Sequence, residues 1–124
     1  MLHSFGDQSG DVYPYAGLAL GPGGALYGVT EAGGSSSLPF TNGTVYQLKP
    51  PIGTSTHWPE SVLYQFMGGI DGQNPLASLV IGPGKALYGT TFAGSGASVN
   101  GTVFRVTPPA ASGGEWIETV LLGI

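Results

Sequence analysis

Apolar residues recur in short runs along this chain, and stretches rich in Gly, Pro and small polar residues separate the runs. In the clearest run Val62, Tyr64 and Phe66 are spaced by two residues, the period of a half-buried β-strand. No stretch combines helical periodicity with helix caps. The runs predict four strands in each half of the chain, at 15–20, 25–30, 43–49 and 58–66 and again at 76–81, 86–91, 101–107 and 116–122. The pattern therefore predicts an all-β fold.

The two halves of the chain are copies of one another. Shifted by 61 positions, the block 21–28 matches the block 82–89 at all but one residue. After a loop that differs in length by three residues the offset becomes 58, and the Asn-Gly-Thr-Val block at 42–45 falls on 100–103. Residues 1–124 therefore form one two-repeat unit. Repeat one covers about 2–61, repeat two about 63–119, and a partial copy of the outer strand covers 116–124.

Repeats of about 60 residues, each with four short strands and fixed Gly and aromatic positions, are typical of β-propeller blades. The composition agrees, because only 8% of the residues are charged while 23 are Gly and 10 are Pro. Blades bury both faces of their sheets against neighbouring blades, so few positions tolerate charge. The sequence thus predicts a β-propeller of four-stranded blades, with two blades in each chain.

The second repeat resembles the GloVer repeat, a tandem repeat of bacterial surface proteins. The residues that carry the resemblance are 62–66 (Val-Leu-Tyr-Gln-Phe), Asp71-Gly72 with Pro75, 84–91, and 101–104 with Thr107-Pro108. The first repeat departs from the motif at Val29, Tyr46 and Lys49. The resemblance implies an extracellular or cell-surface β-propeller within longer, anchored proteins, and it assigns no activity to particular residues. The motif order is also similar to that of kelch-type blades, which implies an innermost strand at 75–81 and an outermost strand at Trp116.

Two blades do not close a propeller, which needs four to eight. We expect copies of the chain to associate head to tail into a ring, with six or eight blades favoured. A filament and a fragment of a larger propeller are the alternatives. Both ends of the chain match the outer strand, so the residues expected to carry self-association are Leu2, Phe5, Trp116, Val120 and Leu121.

Charge and composition exclude several classes of function. The net charge is −4 and the three basic residues are isolated, which disfavours nucleic acid and anionic membranes as partners. No window is long and apolar enough to span a membrane, and residues 1–6 carry no signal-peptide pattern. His3 and His57 occupy non-equivalent positions with no Ser or carboxylate spacing for a triad. We therefore expect a non-enzymatic protein that needs no cofactor.

The remaining candidate chemistry lies in loops. Tyr13, Phe40 and Phe92 are aromatic residues in or beside loops, and Glu31 is the acidic residue nearest to them, so these four residues are candidates for sugar binding. Asp7 and Asp11 alternate with polar residues as in a small Ca²⁺ loop, although Asp-Gly pairs also make ordinary turns. Asn42 and Asn100 fit the glycosylation sequon, but Asn-Gly is also a favoured turn, and we favour the turn.

These observations favour a self-assembling surface β-propeller module with a binding or structural role. The alternative function is a carbohydrate-binding lectin with one loop site in each repeat.

Overall fold

A computed structural model describes residues 1–5, 13–32, 42–69, 71–94 and 100–123. Phe40, Asp7 and Asp11 therefore lie outside the described residues. The described strands are β1 (Ala19–Leu20), β2 (Leu26–Thr30), β3 (Thr44–Leu48), β4 (Glu60–Gln65), β5 (Gln73–Pro75), β6 (Val80–Ile81), β7 (Leu87–Ala93), β8 (Thr102–Thr107) and β9 (Ile117–Gly123). Within these ranges the helical content is two single 3₁₀ turns, Pro22–Gly24 and Pro83–Lys85, at the predicted Gly-Pro-Gly turns. The all-β prediction is confirmed.

The strands form two antiparallel sheets, one from each half of the chain. The first sheet has the order β1-β2-β3-β4 and the second the order β5-β7-β8-β9, with β6 also paired to β7. Apart from β5, the pairing is the same in both sheets: Gly28 lies opposite Tyr46, and Gly89 opposite Phe104. A bulge follows Val45 in the first sheet and Val103 in the second. Corresponding residues of the two repeats therefore occupy corresponding places in the two sheets.

The first strand of each repeat is shorter than predicted. The predicted strands 15–20 and 76–81 form only at Ala19–Leu20 and Val80–Ile81, and the sequence pattern missed the strand Gln73–Pro75. The cause is local backbone chemistry. Tyr13 and Asn74 have left-handed backbones with φ of 61° and 56°, and each precedes a proline that has no N–H to donate. The chain therefore leaves the ladder after Pro75 and rejoins it at Val80.

The core lies between the two sheets. We call the face of each sheet that carries Gly28 or Gly89 its front and the opposite face its back. Side chains alternate between these faces along each strand. The buried cluster joins the back of the first sheet to the front of the second, and its largest members are Tyr27, Val29, Val45, Phe66, Leu79, Leu87, Phe104 and Val106. Full burial of each such side chain contributes about 1.5–3 kcal/mol, so this junction holds the two sheets together.

Glycine and threonine complete the front of each sheet. A Cβ at Gly28 or Gly89 would overlap the ring of Tyr46 or Phe104, so only glycine lets each aromatic ring lie flat against its neighbouring strand. Two residues further along the same face, the buried hydroxyls of Thr30 and Thr44 hydrogen bond to each other at 2.7 Å. Thr91 and Thr102 form the equivalent bond at 2.8 Å. These cross-strand pairs satisfy polar groups that burial would otherwise penalise.

We expect Gly89→Ala to lower the free energy of unfolding by about 1–3 kcal/mol, because the added methyl group displaces Phe104 from a fully packed site. Chemical unfolding followed by tryptophan fluorescence measures this change. Gly123→Ala is the matched control, since a Cβ at Gly123 in β9 meets nothing within 4 Å. Equal stability changes in the two variants would contradict the close approach of Phe104.

Candidate functional site

The front of the first sheet is open where the equivalent surface of the second sheet is covered. Leu18 is 50% exposed, whereas its repeat equivalent Leu79 is 4% exposed because the first sheet covers it. Leu26 is likewise only half-buried, while its equivalent Leu87 is completely buried. A groove of about 320 Å³ crosses this open face, lined by Leu18, Leu26, Tyr46, Leu48 and residues near the start of the chain.

The back of the second sheet is open in the same sense. Thr90 is exposed, whereas its equivalent Val29 in the first sheet is 1% exposed within the junction. Val103 is half-buried, while its equivalent Val45 is completely buried. By repeat position, the two open faces therefore correspond to the two faces that pack together inside the chain.

One charged residue lies on the open back face. Arg105 occupies the place of Gln47, whose side-chain amide donates to the Tyr27 hydroxyl at 2.8 Å within the internal junction. The Arg105 Nε is buried and has no hydrogen-bond partner among the described residues. A buried N–H without an acceptor is energetically costly.

Residues 1–5 lie on the open front of the first sheet. The His3 ring nitrogen Nε2 lies 3.0 Å from Glu60 Oε2, with both side chains largely buried. The Phe5 ring packs edge-on against Tyr46, with centroids 5.0 Å apart. In the second sheet Phe66, which directly follows β4, packs edge-on against Phe104 at the same 5.0 Å. Residues 1–5 thus occupy, on the first sheet, the place that the end of β4 occupies on the second.

Two acidic residues, Asp71 and Glu118, interact with Tyr64. Asp71 accepts hydrogen bonds from the Tyr64 hydroxyl at 2.7 Å and from the Met67 amide at 2.9 Å, which closes the turn between the sheets. Burial, reinforced by the hydrogen bond and charge of Asp71, holds the pKa of Tyr64 above its usual range. Burial raises the pKa of Glu118 to about 7, the charge of Asp71 adds to this, and the interaction with the Tyr64 hydroxyl opposes it.

Of the loop residues predicted to bind sugar, Tyr13, Glu31 and Phe92 are described, and they lie at the end of the sheets that carries the β2–β3 and β7–β8 connections. Tyr13 and Tyr15 stack with centroids 5.9 Å apart and planes 8° apart, and Tyr15 is 69% exposed. The Glu31 amide donates to the Tyr13 carbonyl at 3.0 Å, which places Glu31 beside the pair. Phe92, the repeat equivalent of Glu31, is also exposed. Sequence reasoning missed Tyr15 as a partner of Tyr13, because only the backbone at Tyr13 aligns the two rings.

The two sequon asparagines have different surroundings. Asn42 contacts Gly68, and its carbonyl accepts a hydrogen bond from the Asn74 amide at 2.7 Å, so it lies within the contact between the repeats. Asn100 is exposed. Gly43 has a φ of 100°, and a Cβ there would overlap the carbonyl oxygen of Thr30. A close approach to β2 therefore requires this glycine, in addition to the turn that the sequence predicted.

The residues expected to carry self-association fall into two groups. Phe5 and Trp116 already have partners in the chain, since Phe5 packs on Tyr46 and the Trp116 ring lies 6.2 Å from that of Tyr27. Leu2 and Leu121 are exposed, and Val120 is half-buried. Of the two histidines, His3 pairs with Glu60 and His57 is exposed.

No group of three or more His, Cys, Asp or Glu residues that could hold a metal ion occurs in the described ranges. Across the same ranges there is no helix long and apolar enough to span a membrane. Comparison of the chain with protein-family models, curated proteins and solved structures finds no match.

We expect the pH dependence of stability to change in Glu118→Gln. Because the pKa of Glu118 is about 7 in the folded chain, the carboxyl keeps its proton up to about pH 7. In the unfolded chain it releases the proton near its ordinary pKa of 4.5. The free energy of unfolding therefore falls as pH rises through this window, by on the order of 1–3 kcal/mol for this group. Urea unfolding at pH 4.5 and pH 8 should show that the variant lacks this loss. The exposed Glu115→Gln is the control and should keep the wild-type profile.

Proposed function

We propose that this protein is a two-blade β-propeller module that associates with copies of itself, front to back, to complete a ring. The observation that carries the proposal is that the two open faces of the chain correspond residue by residue to the two faces that pack together inside it. The front around Leu18 corresponds to the buried surface around Leu79, and the back around Thr90 to the buried surface around Val29.

The interface so formed is heterologous, because each copy uses a different face toward each neighbour. Such contacts give a closed ring when the rotation per copy divides a full turn and a filament when it does not. Three copies supply six blades and four copies supply eight, both within the usual range for propellers. The proposed role is binding or structural and non-enzymatic, at the cell surface or outside the cell, in keeping with the GloVer resemblance.

We expect Leu18→Glu and Thr90→Glu each to abolish association, because each places a large charged side chain where the two faces would pack closely at the proposed interface. Light scattering measures the mass of each species. Wild-type protein should have a mass three or four times the 12.5 kDa of one chain, and each variant alone should be a monomer. A mixture of the two variants should form only a heterodimer, because one intact front meets one intact back.

Two results would oppose this proposal. Monomeric wild-type protein at high concentration would rule out self-assembly. If Thr90→Glu self-associates and Leu18→Glu does not, the copies pair front to front and not head to tail. The control is Ile52→Glu, which places the same charge on a residue that is 88% exposed in the β3–β4 connection, away from both faces, and should associate as wild type does.

A carbohydrate-binding function is the second candidate, and the stacked, exposed rings of Tyr13 and Tyr15 favour it. Exposed aromatic rings offer a flat apolar surface to the C–H face of a sugar, and the acidic residue Glu31 lies beside them through its backbone contact with Tyr13.

If Tyr13 and Tyr15 bind sugar, Tyr15→Ser should weaken binding by roughly tenfold, the effect of losing about 1.4 kcal/mol. Tyr13→Asn tests the stack without straining the backbone, because asparagine holds the same left-handed conformation at position 74. A glycan array followed by calorimetry on the best hit provides the measurement, with Ile52→Ser as the control. Equal binding by all variants, or no binding on the array, would rule out this site.

A further inference from the structure

Residues 2–4 and residues 121–123 correspond to the same positions of the repeat. Leu2, Leu63 and Leu121 are equivalent by the repeat offsets, and so are Ser4, Gln65 and Gly123. In repeat one, residues 63–65 form the end of β4 in the first sheet, and the next residue, Phe66, packs on Phe104 at the front of the second sheet. Residues 2–4 and residues 121–123 are therefore two versions of one repeat segment, and both fit the same position where two copies would meet.

The contacts of residues 1–5 show which position this is. Phe5 meets Tyr46 as Phe66 meets Phe104, and the paired residues His3 and Glu60 are the repeat equivalents of Tyr64 and Glu118. We call the surface of the first sheet that holds His3 and Phe5, around Glu60 and Tyr46, the strand-end seat. In the single chain residues 1–5 occupy it.

A second copy that docks its back on this front brings the end of its β9 to the same seat, just as the end of β4 reaches the second sheet inside the chain. We propose that the strand-end seat is the binding surface for residues 121–123 of a second copy, and that residues 1–5 must leave it when the copies associate. This inference rests on the proposed self-assembly.

The two competing segments are held differently. Residues 121 to 123 belong to β9, where Leu122 pairs with Val103 and Gly123 with Thr102 in the ladder with β8. Residues 1–5 belong to no strand and are held by the His3–Glu60 pair and the Phe5–Tyr46 contact. Because β9 keeps its own ladder when the copies meet, the N-terminal segment is the one that yields. The segment acts as an intramolecular competitor that weakens association.

The test is the association constant of Phe5→Ala compared with that of wild-type protein, measured by sedimentation. An edge-on aromatic contact contributes about 0.5–1.5 kcal/mol beyond its buried area, so freeing the seat should tighten association roughly tenfold. His3→Ala, which removes the pair with Glu60 and the edge-on contact of the His3 ring with Phe5, should act in the same direction. The double variant Phe5→Ala/Leu18→Glu should be monomeric, which would show that the gain uses the proposed interface and is not nonspecific adhesion. Circular dichroism establishes that each variant is folded.

A second measurement follows the segment directly. The chain contains no Cys, so Ser4→Cys carries a single spin label. The label should be less mobile in dilute monomer than in the assembly. Suppose that wild-type protein associates but Phe5→Ala associates no more tightly, or that the mobility of the label does not rise on association. Either result would overturn competition at the seat and leave the proposed function standing. Failure of both wild type and Phe5→Ala to associate would overturn both proposals.

Discussion

The packing of the back of one sheet on the front of the next is the interaction on which the rest of this structure depends. It buries Val29 and Val45 from one repeat against Leu87, Phe104 and Val106 from the other. A four-stranded sheet with two apolar faces has no stable existence in water by itself, and the first neighbour covers only one face of each sheet. The packing that stabilises the pair thus leaves one front and one back uncovered. Self-assembly follows as a proposal from that same interaction.

The junction also explains the few polar groups of the core. The threonine pairs at the front of each sheet satisfy one another, and Asp71 accepts the bonds that close the connection between the sheets. Glu118 is the exception, because burial beside Asp71 raises its pKa to about 7. Its equivalent Glu60 instead meets a histidine from the start of the chain. Glu118 at the internal junction and Glu60 at the open front of the first sheet thus have different partners, although they occupy corresponding positions of the repeat.

Much of the fold could be predicted from the sequence, and the errors have local causes. The strands around β2, β3, β7 and β8 were placed within one or two residues because Gly-rich loops bound their apolar runs. The first strands were predicted too long, because alternation alone does not reveal the left-handed backbone at Asn74 or the way Leu79 turns into the core. Of the candidate site, Tyr13 and Glu31 were identified, while Tyr15 and the pairing of His3 with Glu60 were not. Those contacts join residues that no sequence period relates.

The sequence by itself determined that the chain is all-β, that its halves are equivalent, and which residues correspond. These properties follow from short-range periodicity and turn chemistry, which act between neighbours in the chain. Only the tertiary structure decided that Tyr27 and Leu87 face the same core, that Leu18 stays exposed while Leu79 is buried, and that residues 1–5 lie on Glu60 and Tyr46. Such choices arise when two sheets meet and each must commit one face to the other. The period of two in a strand marks both faces of a sheet as apolar and cannot say which of them is covered.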